Sequence, residues 1–294
     1  MAWRGVHLSQ KARLSLADGQ MVVEQADGTI RLALEDLAWL VLDTPQASLT
    51  ANLLSACMEA GLVVVTTDAS HLPNGILLPF HGHHRQAGMA EKQVAMSAPL
   101  KKRLWQAIVK AKITNQAAIL DKTGRDGGKL VAEMARHVGS GDPDNVEARA
   151  ARQYWSCLFN DFRRDDDQDR RNKLLNYGYA VLRAVIARAL VASGLLPAFG
   201  LHHASIGNAF NLADDIIEPF RPFVDLLAQA QAPAKDDELS LEDRRAMVAI
   251  LLADVSLGRD TMTLSAAVEQ VAASLVRAIT SADAAELILP TVQS

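Results

Sequence analysis

Arg13-Leu-Ser-Leu-Ala-Asp-Gly-Gln-Met-Val-Val-Glu24 places two apolar-rich runs on either side of Asp18-Gly19. A DG pair between such runs signals a tight hairpin, because both turn residues must take positive φ. Asp27-Gly28 repeats the signal ahead of Thr29-Ile-Arg-Leu-Ala-Leu34, so successive hairpins open the chain. Further on, Leu37 to Leu42 is a continuous apolar run. Ser48 to Ala60 reads as a helix stopped by Gly61, and Leu62 to Thr67 reads as a buried strand. Residues 71 to 90 hold His71, His81, His83, His84, three glycines and two prolines, the composition of a loop or linker.

From about Ala90 the pattern turns helical. Leu100-Lys-Lys-Arg-Leu-Trp-Gln-Ala-Ile-Val-Lys-Ala-Lys-Ile113 carries an apolar stripe through Leu100, Leu104, Ala107 and Ala111. Its five basic residues, Lys101, Lys102, Arg103, Lys110 and Lys112, are opposed by no acid. Asp142-Pro143 reads as the N-cap and first-turn proline of a helix running through Glu147 and Tyr154-Trp155 to Phe159. Other helices are expected over Lys173 to Ser193, over Asn208 to Glu218 up to Pro219, near 241 to 255 and near 263 to 279. The expected fold is α+β, with a small N-terminal β-rich domain at 1–85 followed by a larger all-α domain at 86–294.

Composition narrows the class. Of 294 residues, 49% are hydrophobic and 22% charged, which fits a folded globular chain rather than a disordered or fibrous one. Cys57 and Cys157 are too few for a disulfide framework and have no CxxC spacing for zinc, which suits a reducing cytoplasm. The sequence shows no run of 18 apolar residues and no secretory signal pattern, so neither membrane insertion nor export is expected. A net charge of -4 argues at first against a polyanionic partner. However, residues 225 to 294 hold 5 Lys+Arg against 11 Asp+Glu, which leaves 25 against 23 in residues 1 to 224. The acid sits in the tail, and the basic helix keeps its local charge.

Asn208, Asn211, Asp215 and Glu218 fall at i, i+3, i+7 and i+10, an oxygen-rich stripe with Asp214 one step around and Phe210, Ala213 and Ile217 opposite. Such a stripe is commonly a solvated face. Here His202-His203 stands just upstream, and histidine with carboxylates can make an N/O site for Mg²⁺ or Mn²⁺. Glu147 shares its face with Ala151, Tyr154 and Leu158, so its carboxylate should be half buried and need a partner. Arg149, another arginine or a metal would serve, and spacing leaves the choice open. Arg163 to Arg171 is a zwitterionic run that reads as a solvated loop, the His81, His83, His84 tract lacks companion ligands, and Trp39, Trp105 and Trp155 read as core. No GxxxxGK[ST], GxGxxG or GxSxG occurs.

The segment Gly200-Leu-His-His-Ala-Ser-Ile-Gly-Asn-Ala-Phe-Asn-Leu-Ala-Asp-Asp-Ile-Ile-Glu-Pro-Phe-Arg-Pro-Phe-Val-Asp225 closely resembles the signature of the CRISPR-associated integrase, the catalytic subunit of the spacer-acquisition complex. Asn145-Val-Glu-Ala-Arg-Ala-Ala-Arg-Gln-Tyr-Trp155 resembles that family's glutamate helix and Lys173-Leu-Leu-Asn-Tyr-Gly-Tyr-Ala-Val-Leu182 its next helix. The basic helix with Asn115-Gln116 is similar too, and the steps of 56 residues from Glu147 to His203 and 15 from His203 to Glu218 resemble the type II form. The resemblance covers most of residues 1 to 228.

It implies that Glu147, His203 and Glu218 are the catalytic residues and hold Mg²⁺ or Mn²⁺, with His203 favoured over His202 and with Asp215, Asn208 and Asn211 in support. It implies an N-terminal dimerisation domain, a homodimer, and a complex of two such dimers around one dimer of the small second adaptation protein. It further implies insertion of short duplex DNA into a CRISPR repeat array by attack of a 3′-OH on a repeat phosphodiester. Tyr177 and Tyr179 then need no covalent role, and Lys101, Lys102, Arg103, Lys110 and Lys112 would meet DNA phosphates. Two other classes compete. A DNA-binding scaffold without turnover would dispense with the Glu147, His203 and Glu218 set. A prenyl-diphosphate enzyme is suggested by Asp214-Asp-Ile-Ile-Glu218, but no second aspartate-rich motif accompanies it.

Overall fold

A computed structural model describes residues 4–79, 83–232 and 238–292. The chain opens with β1 (Arg4–Leu8), β2 (Ala12–Ala17), β3 (Gln20–Gln25), β4 (Gly28–Ala33), β5 (Leu37–Leu42), β6 (Ala47–Leu49), α1 (Ala51–Glu59), β7 (Val63–Thr67) and β8 (Pro73–Leu77). The β2–β3 hairpin closes through Asp18 and Gly19, both at positive φ, as its DG turn requires. β4-β3-β2-β6 form one sheet; β1, β5 and β7 run parallel in a second, which antiparallel β8 edges.

Parallel strands covered on both faces should be apolar, and β5 and the Val63–Val65 stretch of β7 are. Trp39, Val41, Val63 and Val65 face the helical core, whereas Leu37, Leu40, Leu62 and Val64 face a smaller core with Leu14, Met21, Leu53 and Cys57. The second sheet is thus the wall between the two cores. Polar bonds fasten it to the helices. Buried Asp43, just past β5, accepts from His7 Nε2 at 2.9 Å, His71 Nδ1 at 2.6 Å and Arg244 Nε at 2.8 Å. Arg188 donates to the Gly61 carbonyl at 2.5 Å.

The helical part comprises α2 (Gln86–Val94), α3 (Ala98–Lys122), α4 (Gly128–Arg136), α5 (Val146–Leu158), α6 (Arg170–Ala192), α7 (Asn211–Ile216), α8 (Arg221–Gln231), α9 (Leu241–Ala249) and α10 (Leu264–Ser281). α3 and α6 cross its centre; α6 is long and apolar enough to span a membrane by composition, but is buried in this core. Three short strands, β9 (Asp254–Leu257), β10 (Asp260–Thr263) and β11 (Pro290–Thr291), add a small antiparallel sheet that sequence periodicity did not reveal.

Several boundaries depart from the sequence reading. The 71–90 linker contains β8 and the start of α2, because pairing with β7 orders a segment whose Pro73, Asn74 and Gly75 suggest a loop. The helix expected from Ser48 starts at Ala51, capped by Thr50, because Ala47–Leu49 pairs with β2. The one expected near 241 to 255 ends at Ala249 and gives way to β9. α5 begins at Val146 rather than at Pro143. Asp142 still caps it, accepting from the Val146 and Glu147 amides at 2.9 and 3.0 Å across a turn that has Asp142 and Asn145 at positive φ. His81 lies outside the described residues, and His83 and His84 stack on each other.

Candidate active site

The site is assembled around a loop and a short helix. Asp215, on α7 and fully buried, receives the backbone amides of Leu201, His202 and His203 at 2.5, 3.2 and 3.1 Å and the His203 ring Nδ1 at 2.7 Å. One carboxylate therefore folds the loop and orients the imidazole. Gly200 makes this closure possible, since a Cβ there would stand 2.2 Å from the His203 carbonyl and 2.7 Å from Asp215 Oδ2. The hydrogen bond that the His203 ring donates to Asp215 raises its pKa above its ordinary value against the opposing effect of burial, with Glu218 adding to the rise. Asp215 leaves the other ring nitrogen, Nε2, unengaged.

Asn208 and Asn211 build the same loop. Asn211 Nδ2 donates to the carbonyls of Ala198, Ser205 and Asn208 at 3.1, 2.9 and 3.1 Å, and Asn208 links Asp214 to Arg183. The expected helical stripe over 208 to 218 is thereby corrected: α7 spans Asn211–Ile216 alone, Asn208 precedes it, and Glu218 opens a 3₁₀ turn with Pro219. Asn211, Asp215 and Glu218 are buried in the protein rather than turned to water.

Glu147 on α5 and Glu218 converge on the ammonium of Lys112 from α3. Glu218 Oε1 also receives Arg221 Nε at 2.8 Å. Burial acts to raise the Glu218 pKa, but Arg221 and Lys112 outweigh it and hold the carboxyl down at about 2. The same carboxylates keep Lys112 above its ordinary pKa despite burial that acts the other way. Beside this group lies a cavity of about 170 Å³ lined by Lys112, Gln116, Trp155, Glu218, Arg221 and Asp225, among others. Asp225 is buried and accepts from the Tyr154 hydroxyl at 3.1 Å and from the Tyr179 hydroxyl. Its burial pushes its pKa up to about 7.

Two readings of charge need correction. Lys112 does not share the basic face that would meet phosphates. At about 100° per residue it falls between Ile119 and Trp105 on the helix wheel, inside the buried arc, and that arithmetic could have found it. Lys102 and Arg103 are exposed, and Lys101 and Lys110 are partly so. Glu147 pairs with Lys112, not with Arg149. Trp39 and Trp105 are core as read, and Trp105 also stacks on His202 with ring centroids 4.3 Å apart. Arg221, Asp225 and the Tyr154–Tyr179 pair were not singled out for these contacts. The paired acids give hard oxygen donors already gathered around a cation, and the oriented histidine adds a nitrogen, a donor set suited to Mg²⁺ or Mn²⁺. As placed, no three His, Cys, Asp or Glu side chains among the described residues stand close enough together to bind a metal, and Lys112 fills the position between the acids.

Residues 6–236 match the family model described as CRISPR associated protein Cas1. The chain belongs to the Cas1 family. It is 39% identical over 298 residues to the CRISPR-associated endonuclease Cas1 of Neisseria meningitidis serogroup C (strain 8013), covering 99% of this chain and 97% of that one. Among solved structures, a casposase bound to integration product superposes with a TM-score of 0.76 at 18% identity over 95% of this chain and 91% of that one. A Cas6-RT-Cas1–Cas2 complex superposes with a TM-score of 0.75 at 19% identity over 97% of this chain, which spans 36% of that longer one. At those identities the solved structures show that the Cas1 fold is shared.

Proposed function

We propose that this chain is a divalent-metal-dependent DNA integrase with endonuclease activity, inserting short duplex DNA into a CRISPR repeat array. The observation that carries the proposal is the convergence of Glu147 and Glu218, from separate helices, on one buried cation position beside the loop of His203. Glu147, His203 and Glu218 would hold Mg²⁺ or Mn²⁺. When bound, the ion supplies Lewis-acid stabilisation of the charge that builds on phosphate oxygens.

The chain's own residues do the rest. Arg221 keeps Glu218 ionised, Asp215 fixes the tautomer and direction of His203, and Asp142 anchors the first turn that carries Glu147. Lys101, Lys102, Arg103 and Lys110 would hold the duplex through its phosphates without reading sequence. In the reaction the 3′ oxygen of the incoming strand bonds to a repeat phosphorus as the bond to the repeat's own 3′ oxygen breaks, so no protein nucleophile intervenes. Tyr177 and Tyr179 are buried, in keeping with packing.

Family membership and the solved Cas6-RT-Cas1–Cas2 neighbour favour a partnership with the second adaptation protein; the proposal further takes the chain as a cytoplasmic homodimer, residues 1–85 as its dimerisation domain and 86–294 as the catalytic one, with two dimers around a dimer of that partner. The test is integration of a labelled duplex into a repeat-bearing plasmid with Mn²⁺ or Mg²⁺ and the partner protein. Glu147→Ala, His203→Ala and Glu218→Ala should each abolish strand transfer and leave duplex binding within about a few-fold. Full integration by all three would overturn the assignment; an inactive native chain that binds DNA would favour the scaffold reading.

A further inference from the structure

Lys112 is not explained by the reaction just described. It is buried, its ammonium touches both Glu147 and Glu218, and it occupies the one position those acids share. Lys112 and Arg221 together balance the two carboxylates, so a divalent ion added among them would leave a buried excess of positive charge. Something must yield, and the lysine has somewhere to go. The adjoining cavity of about 170 Å³ is lined by Lys112, Gln116 and Asp225, with Arg164 and Arg221 also on its wall, so an ammonium entering it must be held by the acceptors. Gln116 lies one helical turn after Lys112 on α3, is 2% exposed, and its Oε1 accepts no hydrogen bond among the described residues. A buried acceptor without a donor is a standing cost, and an ammonium moving into the cavity would remove it.

We propose that Lys112 is a two-position internal cation: it neutralises Glu147 and Glu218 in the metal-free protein and moves to Gln116 Oε1 and Asp225 when a divalent ion takes its place. The proposal rests on the metal-site reading above. Lys112 therefore competes with the metal, and the cavity acceptors lower the cost of its displacement. Lysine suits the task better than arginine, because it carries a compact charge on a flexible stem.

The test is Mn²⁺ binding by the purified full chain, read from the loss of the free-Mn²⁺ electron paramagnetic resonance signal rather than from activity. Lys112→Gln removes the competitor and should tighten Mn²⁺ binding by about tenfold or more. Gln116→Leu removes one landing acceptor and should weaken binding by about three- to tenfold, and this effect should disappear in the Lys112→Gln background. An unchanged or weaker affinity in Lys112→Gln, or an equal effect of Gln116→Leu in both backgrounds, would overturn the proposal. If Lys112→Gln does not fold, Gln116→Leu decides it, and unchanged affinity there refutes it. Absence of wild-type Mn²⁺ binding that Glu147→Gln or Glu218→Gln abolishes would instead refute the metal-site reading, and the proposal with it.

Discussion

Asp215→Asn is nearly isosteric, yet it should uncouple the histidine loop from the helix beneath it. The carboxylate oxygen Oδ2 accepts from the Leu201 and His202 amides, and Oδ1 accepts from the His203 amide and ring. An asparagine offers one acceptor oxygen and one NH₂ group: turned toward Leu201 and His202 the NH₂ faces two amide donors, and turned toward His203 it faces that amide and forces the ring into the tautomer whose Nδ1 accepts and whose Nε2 carries the proton. Each buried donor left without an acceptor costs about 1–3 kcal/mol. The cheaper orientation leaves one amide unpaired, and because His202 and His203 reach solvent the loss belongs at the lower end, about 1–2 kcal/mol of loop stability. Hydrogen exchange reads this directly: amides 201 to 203 should lose protection by about 5- to 30-fold while the α6 amides keep theirs. Mn²⁺ affinity should fall by about 10- to 100-fold, the usual consequence of losing the group that orients a histidine ligand. Protection within about threefold of wild type together with unchanged Mn²⁺ affinity would refute this account of the loop.

Three further outcomes are expected. Neutralising Lys101, Lys102 and Arg103 should weaken binding of unrelated duplexes alike and reduce the slope of log K against log salt; an unchanged slope would remove them from the DNA path. Asp43→Ala strands His7, His71 and Arg244 at the wall between the two cores and should cost about 3 kcal/mol in urea denaturation. Burial opposes ionisation of Asp43, but bonds from His7, Arg244 and His71 prevail and depress its pKa, so its contribution is present at neutral pH and is lost on acidification through the lowered value. Asp225 has the opposite sign. Burial raises it from 3.8 to about 7, so wild-type stability should fall as pH rises across that interval, and Asp225→Asn, measured by thermal unfolding at several pH values, should flatten the fall.

What the sequence disclosed follows from range. The β2–β3 hairpin was legible because Asp18-Gly19 dictates a local turn, and β5 and β7 because burial on both faces leaves an unbroken apolar run. β8 was hidden, since its order comes from pairing with β7 rather than from its own residues, and β9 and β10 were too short to break a helical pattern. The acids and histidine of the candidate site were legible as residue types. Their arrangement was not: α7 stops short of Glu218, and Asn208 spends its side chain on Asp214 and Arg183. Lys112 was misplaced because counting basic residues along α3 ignored which of them point inward.

Asn115 is one turn beyond Lys112 on α3. Its Nδ2 donates to the carbonyl of Pro219 at 2.8 Å and of Pro290 at 2.9 Å, and its Oδ1 accepts from the Val292 amide at 3.1 Å. A single side chain thus clasps the turn next to Glu218 to a strand encoded far downstream. During synthesis, Glu147 and His203 emerge and can begin to pack long before Pro290 and Val292 leave the ribosome, yet this clasp cannot close without them. An unfinished chain would hold the acids and the histidine without the fastening beside Glu218, so the order of synthesis places the closing of that turn after the rest of the site.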